Sequence, residues 1–440
     1  MIPAQRVYLL LILGIAIAPI LSIPFGIRNS IFLTLLYDAV VLTLMVIDSL
    51  KVRGDRIKIT RILPPRLSIG RENPVTLSVE GSKKDAVVQI CDLYPTGFNI
   101  STTKINSIIN AESNQELHYT VYPTQRGEFP WGNIQVRQLG KWGLAWHNWQ
   151  IPQSTKVKVY PDLIGLRSLS IRLTLQSSGS IRKQRQMGIG TEFAELRNYR
   201  VGDDLRFVDW KATARRMGGN NSLPLVRVLQ PEQEQTLMIL LDRGRLMTAR
   251  VKGLQRFDWG LNTTLALALA ALHRGDRVGV GVFDRQMLMW IPPERGQNHL
   301  NRLIDRLTPI EPVLLESDYP GAVTHVVQQH TRRALVVVIT DIVDVTASSE
   351  LLLALCKLVP RYLPFCVTLR DPLVDKIAHT FTDNITEAYT RAVALDLLAQ
   401  RQVAFAQLKQ KGVLVLDAPA DQISDQLVDR YLQLKARNLL

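Results

Sequence analysis

Asp242, Asp284, Asp341, Asp371 and Asp417 each fall just after a short apolar, β-prone run. Carboxylates at the carboxyl ends of parallel strands converge on the crevice where open α/β sheets bind ligands. With hydroxyls and water they would suit a hard divalent ion such as Mg²⁺, which could in turn activate water for hydrolysis. The competing reading is that Asp242 and Asp341 pair with Arg243, Arg245 or arginines of the polar cluster at residues 190–216. No other catalytic constellation is present: there is no GxSxG elbow, HExxH pair, dinucleotide loop, phosphate loop or kinase set. His325 and His330 are five apart, off the i, i+4 face. Cys91, Cys356 and Cys366 have neither disulfide nor zinc spacing and read as buried thiols in a reducing compartment. The residues therefore favour a binding protein over an enzyme.

The densest polar cluster is GTEFAELRNYRVGDDLRFVDWKATARR, residues 190–216. Gly202, Asp203 and Asp204 read as a turn whose carboxylates cap a helix beginning near Leu205. On that helix Leu205, Val208 and Ala212 would share one face, leaving Arg206, Lys211 and Arg215 for solvent or a partner. Glu192, Glu195 and Asp209 are intermixed with Arg197, Arg200, Arg206 and Arg215, which permits bidentate ion pairs. Two readings stand side by side. One is an interdomain ion-pair and capping network; the other is a partner site built from Glu192, Arg197, Tyr199, Gly202, Asp203, Asp204, Arg206, Asp209, Trp210 and Arg215.

The elements that must position these groups are legible in the periodicity. Strand-like runs at Thr236–Leu241, Val278–Phe283, Ala334–Thr340, Phe365–Leu369 and Val413–Leu416 alternate with helical runs at Phe257–Arg274, Leu300–Leu307, Leu351–Leu358 and Ala392–Lys411. Such alternation predicts an α/β domain with a doubly wound parallel sheet. Before it, residues 162–189 read as a basic, exposed linker containing SSGS and RKQRQ. Residues 56–161 carry short β runs between turn clusters, including Val75–Val79, Ala86–Ile90, Leu117–Val121, Ile134–Val136 and Lys156–Val159. That pattern predicts a small all-β sandwich. Trp131, Trp142, Trp146 and Trp149 lie among basic residues, and sandwich packing is preferred over stacking on single-stranded nucleic acid.

Residues 1–55 predict a transmembrane helical hairpin. Val7–Phe25 and Ile31–Leu50 are each close to the roughly 20 residues that cross a bilayer, with a short link at Gly26–Ser30. Arg6 before the first span and Lys51, Arg53, Arg56 and Lys58 after the second put both ends in the cytoplasm. Asp38 lies within the second span, read either as a functional carboxylate or as one drawn towards the headgroups, while Asp48 sits near the basic exit and needs no special account. The 440 residues hold 53 Lys and Arg against 39 Asp and Glu, a net charge of +14. With a membrane segment present, that charge points to anionic lipid and protein partners ahead of nucleic acid.

The pattern GTEF..LR.Y..GDD.R..DW...AR, the closing DRYLQLKAR and the hairpin and β segment before them closely resemble a family of bacterial membrane proteins called domain of unknown function fifty-eight. Members commonly travel with MoxR-type AAA+ ATPases. The resemblance implies a von Willebrand factor A-like domain over residues 190–440. It also implies an inner-membrane scaffold role beside such an ATPase in assembling or maturing other proteins, with a metal-dependent hydrolase as the alternative. The adhesion-type metal site of von Willebrand factor A domains uses Asp-x-Ser-x-Ser after the first strand, with Thr and Asp from later loops. Here the first element is Asp242-Arg243-Gly244-Arg245-Leu246, both serines are missing, and only Thr340-Asp341 matches a later element. No cofactor is expected, Asp242 and Asp341 remaining as a degenerate Mg²⁺ site.

Overall fold

The computed structural model describes residues 1–82, 85–111, 113–179, 192–216, 223–230, 235–343, 348–380 and 384–437, in two compact units, Met1–Leu163 and Ile164–Leu440.

In the first unit helical backbone runs through Gln5–Arg53. A straight helix of that length would separate Val7 from Val41 by about 50 Å at 1.5 Å per residue. Yet Val7 and Val41 are buried in one cluster with Leu144, and a Cβ on Gly14 would lie 2.9 Å from the Tyr37 ring. The chain therefore folds back on itself between residues 14 and 37, and the missing Cβ at Gly14 permits the close approach. Ile27–Arg53 is long and apolar enough to cross a membrane, and Gln5–Ile17 forms a shorter apolar stretch.

Asp48 departs from expectation because it is fully buried. Its two carboxylate oxygens accept from the backbone N–H groups of Trp142 and Leu144, each at 3.1 Å. Strand Ile2–Pro3 pairs with Ala145 and Trp146, so both ends of the apolar segment are fastened to one turn of the β region.

That region contains a five-stranded sheet, ordered 2–3, 145–151, 134–139, 86–92, 105–109, and a four-stranded one, ordered 58–62, 73–80, 114–123, 98–100. A third sheet joins 67–68, 155–160 and 127–131. All five β runs expected from the sequence lie within observed strands. Alternating burial along Asn73–Glu80 and Ala86–Asp92 gives each strand one inward face. Between the sheets, Arg61 makes a bidentate pair with Asp92 at 2.9 and 2.6 Å, and Tyr119 Oη and Trp131 Nε1 donate to the same carboxylate. Trp131 is fully buried, as the packing reading of the tryptophans requires.

The second unit opens with helix Leu163–Gly179, where an exposed linker was expected; residues 182–186 of that stretch lie outside the described residues. Strands Glu192–Asn198 and Leu225–Gln230 then form an antiparallel pair. The main sheet contains β1 (Thr236–Asp242), β2 (Arg277–Phe283), β3 (Met287–Glu294), β4 (Leu335–Thr340), β5 (Leu363–Arg370) and β6 (Leu414–Pro419). Their order is β3-β2-β1-β4-β5-β6, all parallel except the edge strand β3. The doubly wound sheet expected from the alternation is thus present, with an antiparallel edge that the pattern did not reveal.

Both faces of this sheet are covered, which explains why β1 and β4 read as continuous apolar runs. Met238, Leu240, Val336 and Val338 pack with residues of helices Tyr319–Gln329, Ser349–Cys356 and Ile385–Gln410. On the other face, Gly260 of helix Arg256–His273 lies against Leu241 and Ile339, where a Cβ would come within 3.0 and 3.3 Å of their side chains. The DRYLQLKAR segment falls largely on helix Ile423–Ala436. There Tyr431 Oη and Lys435 Nζ both donate to buried Asp276, fastening the helix to the start of β2.

Candidate functional site

Asp242 closes β1 and is 1% exposed. One oxygen accepts from Gly244 N–H at 2.7 Å and Ser317 Oγ at 2.5 Å; the other accepts from Tyr319 Oη at 2.9 Å and Thr340 Oγ1 at 2.7 Å. Four donors saturate the carboxylate. Burial first, and then the Asp242 charge, push the Tyr319 phenol well above its ordinary pKa, so it stays protonated and donating.

Asp341, immediately after β4, is bound differently. Its Oδ1 accepts from Ile342 N–H at 2.9 Å and from Arg401 at 2.7 Å, while Oδ2 meets Arg256 at 2.6 Å. Arg401 also reaches Asp417, which lies within β6 and not after it as expected, at 2.8 Å, and Thr368 Oγ1 donates to that carboxylate at 2.9 Å. Burial opposes the charge on Arg401, but Asp341 and Asp417 outweigh it and hold its pKa above the ordinary value. The same burial pushes the neighbouring Cys366 thiol up to about 12, leaving it protonated and unreactive.

Arg243 does not pair with Asp242 or Asp341, as the alternative reading held, but with Asp284 at 2.7 Å, and Arg245 pairs with Glu316 at 3.0 Å. Asp371 stands apart, capping helix Pro372–His379 through Leu373 N–H. The structure therefore gathers four of these five aspartates into hydroxyl and arginine networks. These residues do not fit a resident divalent ion, because Asp341 already carries two guanidinium groups and Asp242 has every lone pair engaged. Sequence reading missed Arg256, Ser317, Tyr319 and Arg401. Arg401 carried a signal, since it lies on the buried stripe formed by Ala394, Ala404, Phe405 and Leu408.

The polar cluster is a second candidate. The expected helix from Leu205 is replaced by a single 3-10 turn, Leu205–Phe207, followed by helix Trp210–Arg216. Asp204 caps the turn through Arg206 N–H at 3.0 Å, and Asp209 caps the short helix through Ala212 N–H at 2.9 Å. Two caps in six residues divide what the spacing suggested was one helix. Each described acid is also matched to one arginine. Arg197 binds Asp203 at 2.8 and 2.6 Å, Arg206 binds Asp204 at 3.0 Å, and Arg227 binds Asp209 at 2.8 Å. Backbone strand pairing includes Glu192, whose side chain lies outside the described residues.

The side chains of Arg200, Lys211 and Arg215 are exposed and form no ion pair among the described residues, and Arg216 bonds to Asn198 Oδ1. Between them protrude Val201, Leu205 and Trp210, Trp210 being 64% exposed. Tyr199 is half-buried at the base of the turn, and Gly202 has φ of 104°, a left-handed conformation that favours glycine there. The cluster thus divides into an inner ion-pair frame and an outer surface of apolar and cationic groups.

The Arg197 and Arg206 side chains hold Asp203 and Asp204, and chiefly the Ala212 N–H holds Asp209, below the usual carboxylate range. The unfolded chain therefore takes up protons first. The stabilisation is fully present above the ordinary carboxylate pKa of about 4 and is lost as pH falls through the lowered folded values. Amide protection in residues 197–213, taken relative to the intrinsic exchange rate at each pH, is expected to fall on acidification before protection in β1 and β4 does. A simultaneous fall in both would show that the frame does not hold this segment.

Residues 195–380 match the family model described as protein of unknown function DUF58. Uncharacterized proteins of Mycobacterium bovis and Mycobacterium tuberculosis are 24% identical over 156 residues, 35% of this chain. That match spans about half of each relative, 48% of its length. Among solved structures, an aerotolerance-related membrane protein from Bacteroides fragilis is 14% identical with a TM-score of 0.31, over 46% of this chain and 99% of that one. BatB from Bacteroides thetaiotaomicron is 13% identical with the same TM-score and coverage.

Proposed function

Because residues 195–380 belong to the DUF58 family, we propose that this chain is a non-catalytic docking module held at a membrane and that its partner binds the outer surface of the polar cluster. The observation that carries this reading is the exposed set Val201, Leu205 and Trp210, surrounded by Arg200, Lys211, Arg215 and Arg216, whose neighbouring acids are already engaged. Tryptophan and arginine supply most of the energy at protein interfaces. A surface with this surplus of positive charge suits an acidic partner with an apolar pocket.

The partner we propose is a MoxR-type AAA+ ATPase, and the shared task is assembly or maturation of other proteins. The β3-β2-β1-β4-β5-β6 order with its antiparallel edge supports a von Willebrand factor A-like description of the α/β domain, and the facing sheets of residues 56–161 support a β-sandwich. For the membrane segment we propose a two-span hairpin, multi-pass in the inner membrane, with both termini and both soluble domains cytoplasmic. Apolar composition, the fold-back at Gly14 and Tyr37, and basic residues following the second span support that topology.

Co-expression of the full chain with a MoxR-type ATPase, extraction in detergent and measurement of the complex by surface plasmon resonance test the docking surface. Trp210→Ala is expected to weaken binding at least about tenfold, as truncation of an interface tryptophan does. Raising the salt concentration should slow association. Equal affinity for the native chain and Trp210→Ala would remove the surface from consideration.

We further propose that Asp242 and Asp341 work without a metal, the guanidinium groups of Arg256 and Arg401 occupying the electrostatic role of a cation. Calorimetric titration with Mg²⁺ or Mn²⁺ should give no tight binding. Tight binding abolished by Asp242→Ala, together with metal-dependent hydrolysis by the purified chain, would establish the hydrolase reading instead.

A further inference from the structure

A cavity of about 780 Å³ lies where the long apolar helix ends against the β region. Its ionisable lining is mixed: Lys51 and Lys141 supply ammonium groups, and Asp55 and Asp85 supply carboxylates. Lys51 Nζ stands 4.2 Å from the ring centroid of Trp142 and, like Lys141, has no carboxylate partner among the described residues. Asp55 accepts from Ser82 Oγ through Oδ1, and Asp85 accepts from Ala111 N–H at 2.8 Å through Oδ1.

Gln138 supplies an independent observation. It is 5% exposed and lines the cavity; its Nε2 donates to the Asp55 backbone carbonyl at 3.2 Å, while its buried Oε1 has no donor. A buried acceptor left unmet is costly, so a ligand that brings a donor is favoured. Val52 and Leu139 add apolar lining.

We propose that this cavity seats the headgroup of an amine-bearing zwitterionic phospholipid, phosphatidylethanolamine being the simplest. The phosphate would meet Lys51 and Lys141, and the ammonium would donate to Gln138 Oε1 and the carboxylates. An anionic lipid without an amine satisfies the lysines alone. The position matches, because Lys51 and Val52 lie at the end of Ile27–Arg53, where a spanning helix meets the headgroups, with Trp142 at the same level. The inference rests on the membrane-anchor reading.

Native mass spectrometry of the full chain in detergent, supplied with equal phosphatidylethanolamine and phosphatidylglycerol, tests it. Phosphatidylethanolamine is expected to be retained at least about fivefold over phosphatidylglycerol, the charge-assisted contacts being lost in a Lys51→Ala/Lys141→Ala variant. Asp85→Asn should narrow the preference by weakening the ammonium contact alone. All three substituted side chains are exposed, so unchanged melting temperatures are expected and checked. Equal retention of the two lipids, preference for phosphatidylglycerol, or unaltered selectivity in the variants would overturn the assignment. Displacement by soluble phosphorylethanolamine would replace a lipid site with a small-molecule one. Carbonate extraction of membranes separates the two levels: release of the chain refutes the anchor, whereas retention without lipid selectivity refutes only the headgroup site.

Discussion

Arg401→Ala is expected to destabilise the α/β domain by about 3–5 kcal/mol, the cost of breaking a buried ion pair by removing one partner. Arg401 is 5% exposed and bridges Asp341 to Asp417, and its Nη1 also donates to the Ile342 carbonyl at 2.5 Å. Removing it leaves Arg256 to compensate Asp341 and strips Asp417 of its closest cation. Urea unfolding followed by amide exchange in β4 and β5 would read the loss locally. Adding Asp417→Asn to Arg401→Met should recover much of it by removing the stranded charge, Asp341 keeping Arg256 as its cation. A single-variant loss below about 1 kcal/mol would mean that solvent already screens the network as it does a surface pair.

Asp92→Ala is expected to cost the first unit a similar amount, about 3–5 kcal/mol. The substitution strands the Arg61 guanidinium, 2% exposed as a side chain, and removes the acceptor of Tyr119 Oη and Trp131 Nε1. In the native protein burial and then the Asp92 charge hold the Tyr119 phenol far above its ordinary pKa, so it stays protonated and donating. Limited proteolysis should show early cleavage in residues 56–161 while β1 to β6 keep their protection. Arg61→Leu with Asp92→Leu should be milder than Asp92→Ala alone; the reverse order would show that Asp92 acts through packing and not through charge.

These two networks mark the limit of what periodicity conveys. Strands β1, β2, β4, β5 and β6 were legible because each is a short apolar run bounded by helical sequence. Strand β3 was not, since Pro292 and Pro293 interrupt it and it lies at the edge, where proline is tolerated. The polar cluster was recognisable as a turn with capping acids, but its two successive caps were read as one. Asp92 and Arg61 carried no local signal: they are 31 residues apart, on strands of different sheets, and only tertiary pairing joins them. Asp48 was misjudged for the same reason, its partners lying 94 and 96 residues further along the chain.

The pairing of Ile2–Pro3 with Ala145 and Trp146 imposes an order on biosynthesis. That contact spans about 140 residues, a long loop to close and a slow step for a folding chain. The apolar segment is made before the strands that will hold it exist. The opening strand and Asp48 must therefore wait, unpaired, until the 140–146 turn has been synthesised. Completion of the β region is then the event that locks the apolar segment in register, and a ribosome stalled before that turn would leave that segment unlatched.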